Sequence, residues 1–409
     1  MRQGRAIDPG RGRPAHAAHR CADRRRYRLT PSTQRSARID FLRGIAIFAV
    51  LLLHYSLTYN LVNSPLSLLV PAKWIRAAVI NGNYGVTIFF VISGFLITSN
   101  NLLRYGRLAD VRLRQFYAFR FARIVPPLIL ALCVILLLGL LNVPSFMNSQ
   151  KGHAMPTAFF LVAIFSVLTF WHNVLMQVVG YFNYCLNIYW SLSVEEVFYL
   201  TFPLACALLK RDLLIIALCI AAIVFGPVYR SVHTDNEIYF MYAYPACFDA
   251  IAFGCLAAVL HGKLQIGPRV GVLIRYAAGV GLAISYFAGI DGHETFGFSL
   301  IAFWVVGLLT NAFDTPARLS RYLPSRWICW LGRHSYELYL FHIILLAGMR
   351  DIVPKATLPY AAKLPLFALF LALSCLLAAV VARYFAEPLN VWLRRYLADS
   401  GTWRATAKI

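Results

Sequence analysis

A histidine lies inside the first long apolar run of the chain, eleven residues after an arginine. The run covers residues 41–59, with Arg43 near its start and His54 near its end. In an α-helix, this spacing corresponds to a rise of about 16 Å and brings the two side chains to within about 20° of one face. An ionisable side chain inside a membrane is costly, so the pair indicates a function. The alternative is that a polar neighbour on another helix satisfies His54, and the spacing alone leaves both possibilities open.

Two further arginines form a second candidate group. Arg120 and Arg123 are three residues apart, on one helix face, just before Pro126 and Pro127. With Arg43 they would form a basic cluster that suits a phosphorylated ligand, because guanidinium groups bind phosphate oxygens in bidentate fashion. The alternative is that they are cytoplasmic anchors of the kind found at the ends of many membrane helices.

Two adjacent carboxylates, Glu195 and Glu196, lie inside a later apolar run. Consecutive residues point about 100° apart on a helix, so the two should not share one role. We expect one to face a water-filled cavity and the other to pair with a cation or a hydroxyl. A structural ion pair between helices is the alternative.

Three other positions are weaker candidates. Asp249 and His342 also lie within apolar runs, where polar side chains more often hold helices together than react. The pair Ser93–Gly94 is compatible with close helix packing. It is equally compatible with a gap through which a thin ligand arm passes.

The composition indicates that these residues belong to a membrane protein. Of the 409 residues, 60% are hydrophobic and 14% are charged, which a soluble protein of this size could not accommodate. The net charge of +22 does not indicate nucleic-acid binding, because the basic residues cluster beside the apolar runs. The nine cysteines show no metal-binding spacing, so we expect no metal site.

The apolar runs predict an all-α polytopic membrane protein with about ten transmembrane helices and both termini in the cytoplasm. An additional apolar stretch at 157–176 makes the count ambiguous. Counting it as a span would move most later basic loops outside, so we expect an interfacial or re-entrant segment on the outer side. The predicted spans are 41–59, 84–100, 124–143, 188–209, 212–230, 243–261, 271–289, 296–313, 333–350 and 364–386.

Polar segments flank this predicted membrane domain on both sides. Residues 1–37 are rich in Arg, Ala, Gly and Pro and are expected to form a disordered basic tail that contacts anionic lipids. Residues 38–395 form the predicted membrane domain, and 396–409 a short cytoplasmic tail. Together, the basic mouth, the buried histidine and the carboxylate fit a group-transfer enzyme or a proton-coupled transporter.

Several spaced motifs occur in order along the chain: Arg43 and His54, Phe89–Leu96, Arg120 and Arg123 before Ile124 and Pro126, Trp190–Leu192 with Glu195 and Phe198–Tyr199, Leu331–Gly332, Ser335–Tyr336, Leu338–Leu340 with His342, and Glu387–Pro388. Over roughly residues 36–395, these motifs resemble the bacterial membrane acyltransferase 3 family. One departure concerns Asp249, near which family members often have an arginine that is missing from Cys247–Phe248–Asp249.

This resemblance implies O-acyl transfer in the bacterial cytoplasmic membrane. The donor would be cytoplasmic acyl-CoA, most often acetyl-CoA, used as a co-substrate with no permanently bound cofactor. The acceptor would be a hydroxyl on an extracytoplasmic or lipid-linked glycan, such as an exopolysaccharide or O-antigen. Family members carry an essential histidine at the position of His54, and the chain resembles the stand-alone type without a fused esterase-like domain.

The resulting hypothesis assigns a role to each candidate. Arg43, Arg120 and Arg123 hold the CoA phosphates, and the pantetheine arm passes Ser93 and Gly94. His54 acts as general base or as acyl carrier, and Glu195 orients the imidazole or binds sugar hydroxyls. The competing hypotheses are an exporter of an envelope component, with His54, Glu195 and Asp249 as a proton relay, and an inactive binding partner in an envelope assembly.

Overall fold

The computed structural model of the chain describes residues 36–150, 152–261, 263–313 and 323–399. Of the predicted tails at 1–37 and 396–409, only residues 36–37 and 396–399 are among the described residues, and 396–399 form the end of a helix. The helices are α1 Ala37–Tyr59, α2 Ala72–Ile80, α3 Tyr84–Tyr105, α4 Leu113–Leu140, α5 Phe159–Leu168, α6 His172–Val179, α7 Trp190–Leu209, α8 Asp212–Ser231, α9 Glu237–Tyr242, α10 Tyr244–His261, α11 Pro268–Ala288, α12 Glu294–Leu308, α13 Leu323–Arg333, α14 Ser335–Ile352, α15 Lys363–Val381 and α16 Glu387–Asp399.

The long helices are those of an all-α polytopic membrane protein, as the sequence predicts. A helix lies at each of the ten predicted spans, and eight of the segments in the described residues are long and apolar enough to cross a membrane. The other two are α12, which has 15 residues, and α14, which carries Glu337, Arg350 and Asp351.

The apolar stretch at 157–176 is divided into α5 and α6. Phe170, between the two helices, has a φ of 65°, in the left-handed region that interrupts a helix. With 10 residues, α5 is about 15 Å long, roughly half the hydrocarbon thickness of a bilayer. Neither short helix can cross the membrane alone, in agreement with the expectation from charge. A small antiparallel hairpin, β1 Ser149–Gln150 and β2 His153–Ala154, precedes them.

Glycines allow two pairs of helices to approach closely. A Cβ atom at Gly94 of α3 would collide with the carbonyl oxygen of Ile251 on α10, and one at Gly254 of α10 would collide with that of Val91 on α3. The contact is reciprocal, as expected for helices that associate through small residues in a membrane. The same geometry joins α1 to α13, where Gly44 faces the backbone of Ile328.

A buried ion pair joins α8 to α10. The Arg230 guanidinium lies 2.7 Å from the Asp249 carboxylate, and both side chains are fully buried. Arg230 also donates to Ser299 Oγ and to the carbonyl oxygen of Thr295, near the start of α12. Asp249 therefore holds helices together, and its arginine partner comes from an earlier helix rather than from the neighbouring sequence.

Helices α1 and α14 run side by side in the same direction. The Arg43 guanidinium, near the start of α1, donates to Ser335 Oγ at the start of α14, at 2.8 Å. The Tyr59 hydroxyl, at the end of α1, donates to the carbonyl oxygen of Val353 just after α14, at 3.1 Å. The candidate residues of these two helices are thereby held at matching depths.

Candidate active site

One cavity, of about 130 Å³, gathers most of the residues singled out in the sequence. It is lined by side chains from α1, α3, α4, α7 and α14, and its lining combines arginines, carboxylates and hydroxyls. Five of the seven predicted site residues line it together, although they come from four different helices. The charged and hydroxyl-bearing lining residues are Arg43, Ser93, Arg120, Arg123, Ser191, Glu195, Glu196, Tyr199, Ser335, Tyr336 and Tyr339.

The three arginines differ in how they are held. Arg43 is fixed by its bond to Ser335, and its buried Nε atom has no hydrogen-bond partner among the described residues. The Arg120 guanidinium lies over the aromatic ring of Tyr199, at 4.6 Å from the ring centre. Arg123 is exposed. The cavity thus offers guanidinium donors to an anionic ligand.

The two carboxylates in the cavity lining, Glu195 and Glu196, both come from α7. The Glu195 carboxylate accepts a hydrogen bond from the Tyr199 hydroxyl at 2.6 Å and another from the Ser93 hydroxyl. Glu196 is buried, and its Oε1 atom lacks a hydrogen-bond partner in the described part of the chain. Glu195 therefore pairs with hydroxyls, as one carboxylate was expected to, while both line the cavity.

The pair Ser93–Gly94 is divided between two roles. Ser93 lines the cavity and donates to Glu195. Gly94 is outside the described cavity lining and packs against the backbone of α10. Only the serine is in a position to contact a ligand arm.

His54 is paired with a second histidine. Its Nδ1 atom lies 2.9 Å from the carbonyl oxygen of Val50 and 3.3 Å from the Nε2 atom of His342. The Nδ1 atom of His342 lies 2.8 Å from the carbonyl oxygen of Leu338. A carbonyl oxygen can only accept, so the hydrogen-bond network assigns a proton to Nδ1 of each ring. The one proton on His54 Nδ1 is then shared between the Val50 carbonyl oxygen and His342 Nε2, and the neutral His54 ring keeps the lone pair of its own Nε2 atom.

The histidine pair is displaced from the cavity by one aromatic ring. His54 is not among the described residues that line the cavity. Tyr339 does line it, and the centre of its ring lies 6.1 Å from that of His342. Tyr339 is held by Ser191 Oγ, at 2.6 Å from its hydroxyl. Tyr339 and His342 therefore connect the cavity with His54 along one face of α14.

Sequence reasoning did not select Tyr199, Tyr339 or Ser335 as site residues, and it favoured a packing role for His342. Tyr199 follows Glu195 by four residues and Tyr339 precedes His342 by three, so each lies on the same helix face as its partner. That spacing is a signal that could have identified them. The partner of His54 is His342 and not Glu195, whose described hydrogen bonds are to Ser93 and Tyr199.

Comparison with known proteins agrees with this architecture. A family model described as an acyltransferase domain matches residues 36–384. The chain is 25% identical over 374 residues to the O-acetyltransferase OatA of Staphylococcus aureus strain NCTC 8325, with 86% of this chain and 57% of that protein covered. It is 24% identical over 330 residues to the peptidoglycan O-acetyltransferase OatA of Listeria monocytogenes, with 74% of this chain and 48% of that protein covered.

The chain spans about half the length of these curated relatives. No solved structure matches it significantly. The family match covers well over half of the chain and includes every residue of the cavity and of the histidine pair. The chain belongs to this family of membrane acyltransferases.

Proposed function

We propose that this protein is an O-acyltransferase of the bacterial cytoplasmic membrane. It transfers an acyl group, in the first instance acetyl, from cytoplasmic acyl-CoA to a hydroxyl of an extracytoplasmic or lipid-linked glycan. The observation that carries the proposal is one cavity that unites Arg43, Arg120 and Arg123 and has Tyr339 in its wall, with the ring of Tyr339 next to that of His342, the partner of His54.

The donor occupies the arginine-lined cavity. Arg43, Arg120 and Arg123 bind the CoA phosphates, and the unpaired buried Nε of Arg43 supplies a donor that a ligand would satisfy. The pantetheine arm lies along the wall formed by Ser93 and Glu195. Tyr199, which Arg120 covers, keeps that wall in place.

His54 acts as the general base. Its Nε2 atom takes the proton from the acceptor hydroxyl, and the resulting oxygen attacks the thioester carbonyl carbon. The carbon–sulfur bond then breaks, and the sulfur leaves with the proton that His54 had taken. The Val50 carbonyl fixes the reactive tautomer of His54, and His342, which accepts from the same Nδ1–H group, orients the ring, the task that an orienting group performs in other base-catalysed acyl transfers.

Two observations support the choice of acceptor and acyl group. The relatives named above are O-acetyltransferases, and the name of one of them specifies peptidoglycan. The helices place Arg43 at one end of α1 and His54 about 16 Å further along it, which suits a donor and an acceptor that arrive from opposite sides. On this proposal both termini face the cytoplasm.

A proton-coupled exporter is the competing function. A relay would need His54, Glu195 and Asp249 to exchange protons with one another. Asp249 is instead fixed by Arg230 and Ser299, and the hydrogen bonds described for Glu195 are to the hydroxyls of Ser93 and Tyr199. This arrangement favours acyl transfer.

The test is to supply acetyl-CoA labelled in its acetyl group to membranes that contain the protein and endogenous glycans. We expect label in the glycan fraction with wild type and none with His54→Ala, and no effect of a protonophore. Unlabelled glycan, together with glycan export that a protonophore abolishes, would replace the proposal with the exporter.

A further inference from the structure

A second cavity lies at the opposite end of α1 and α14 from Arg43. It has a volume of about 190 Å³ and is lined by polar side chains, among them Ser145, Tyr184, Arg350 and Asp351. Arg43 contacts the first residue of α14, whereas Arg350 and Asp351 are near its last, Ile352. The two cavities therefore flank the histidine pair.

A chain of hydrogen bonds ties this second cavity to the backbone of His54. The Thr58 hydroxyl donates to the carbonyl oxygen of His54 at 3.0 Å, which uses its only proton. The Tyr184 hydroxyl, 2.5 Å from Thr58 Oγ1, is then the donor of that contact. Thr58, which contacts Tyr184 in the cavity wall, lies about one helical turn beyond His54, a rise of about 6 Å along α1.

Arg350 is free to bind a ligand. Its guanidinium is exposed and stacks on the ring of Tyr184, at 5.0 Å from the ring centre. Within the described residues, the side chain has no hydrogen bond to the protein. Stacking on one ring fixes the plane of the guanidinium while its N–H groups remain available at the edges.

Asp351 supplies acceptors beside these donors. One carboxylate oxygen accepts from Ser145 Oγ at 2.6 Å and the other from the Ser145 backbone N–H at 3.2 Å. A carboxylate has about four acceptor sites, so roughly two remain for a ligand. The charges of Arg350 and Asp351 cancel within the lining, and the adjacent donors and acceptors suit a neutral molecule rich in hydroxyls.

We infer that this second cavity binds the sugar hydroxyls of the glycan acceptor. Arg350 donates to sugar oxygens, Asp351 accepts from sugar hydroxyls, and Tyr184 holds Arg350 in place next to the turn that carries His54. The inference rests on the proposed function, since it names the acceptor site of the same reaction. A donor bound at the arginine cavity would then leave the acceptor site open.

The test measures binding of the tetramer of N-acetylglucosamine to the full-length protein in detergent, by saturation-transfer NMR, with no acetyl-CoA present. We expect Arg350→Ala and Tyr184→Leu to weaken binding by about tenfold, the effect of roughly one hydrogen bond to a charged group. Lys355→Ala is the matched control, because Lys355 is an exposed cation just after α14 and does not line the cavity. Acetyl-CoA binding should be unchanged in all three variants.

Equal binding by wild type and Arg350→Ala, or no binding by wild type, would overturn the inference. The binding measurement needs no turnover, so a negative result would exclude the sugar site without deciding whether the protein transfers an acyl group. Saccharide binding that depends on Arg350, in a protein that never transfers an acetyl group, would contradict the proposed function and leave the sugar site standing.

Discussion

The Nε2 atom of His342 lies 3.3 Å from the Nδ1 atom of His54. The two residues come from helices that are far apart in the sequence, yet each ring also has its Nδ1 atom on the carbonyl oxygen four residues earlier. Both rings are thus fixed to their own helices and to each other. The reactive imidazole is positioned by a second imidazole.

His342→Ala should lower acyl transfer by about 10- to 100-fold, less than the loss of a general base, which is about 10²- to 10⁴-fold. Without His342, the Val50 carbonyl still keeps the proton on His54 Nδ1, but the ring loses the contact that orients it toward α14. His342→Gln should recover part of the rate, because an amide oxygen can accept the same hydrogen bond. Transfer assays with acetyl-CoA affinity measured in parallel would check this, and equal loss of affinity in both variants would instead indicate misfolding.

Arg120→Lys should weaken acetyl-CoA binding by about tenfold. Lysine keeps the charge but lacks the planar fork that binds phosphate and stacks on Tyr199. Arg107→Lys is the control, since Arg107 is exposed and outside the described cavity lining. Equal effects of the two substitutions in calorimetric titrations would show that only general charge matters.

Gly94→Ala should destabilise the protein by about 1–3 kcal/mol, because its methyl group would collide with the backbone of Ile251. Gly348→Ala is a matched control: Gly348 is also helical, and a Cβ atom there meets nothing within 4 Å. We expect the control to be neutral or slightly stabilising. Thermal unfolding in detergent would compare them, and an unaffected Gly94→Ala would refute the close contact between α3 and α10.

Arg230→Met should destabilise the protein by about 3–5 kcal/mol, because it leaves the fully buried carboxylate of Asp249 without its cation. The double variant with Asp249→Leu removes both charges and should recover much of this stability. It should also retain acyl transfer, since the pair lies outside the described arginine cavity. Loss of transfer in a stable double variant would give Asp249 a role in the reaction.

Acid should destabilise the segment that carries α6. Burial lowers the pKa of His172 from its ordinary 6.5 to about 3, so the folded protein keeps this imidazole neutral. The unfolded chain binds a proton below about pH 6.5, and stability falls as the pH drops from there toward 3. In His172→Gln this contribution is removed, so unfolding temperatures measured over that range should fall less steeply than in wild type.

Much of this architecture follows from local sequence. Apolar runs locate the membrane helices, and the spacing of Arg43 and His54 places them on one helix face. Both predictions depend only on the spacing of residues within one segment. The partners of Asp249 and His54 could not be predicted from local sequence. Arg230 reaches Asp249 from another helix, and His342 reaches His54 from a helix near the other end of the chain. Such contacts are set by packing between helices. Gly94 illustrates the same limit. A small residue in a membrane helix is compatible both with close helix packing and with a gap for a ligand, and the sequence does not distinguish the two.

The central claim is that the arginine cavity binds acyl-CoA and that His54 performs the transfer. The most direct measurement follows acetyl-CoA binding and slow release of free thiol by purified protein in detergent, for wild type, His54→Ala and Arg43→Ala. No glycan is present, so water takes the place of the acceptor hydroxyl: His54 takes its proton, its oxygen attacks the thioester, and acetate and free CoA are released. We predict that His54→Ala binds acetyl-CoA normally but releases no thiol, whereas Arg43→Ala binds it weakly. Thiol release by His54→Ala at the wild-type rate, or unchanged binding by Arg43→Ala, would contradict the account.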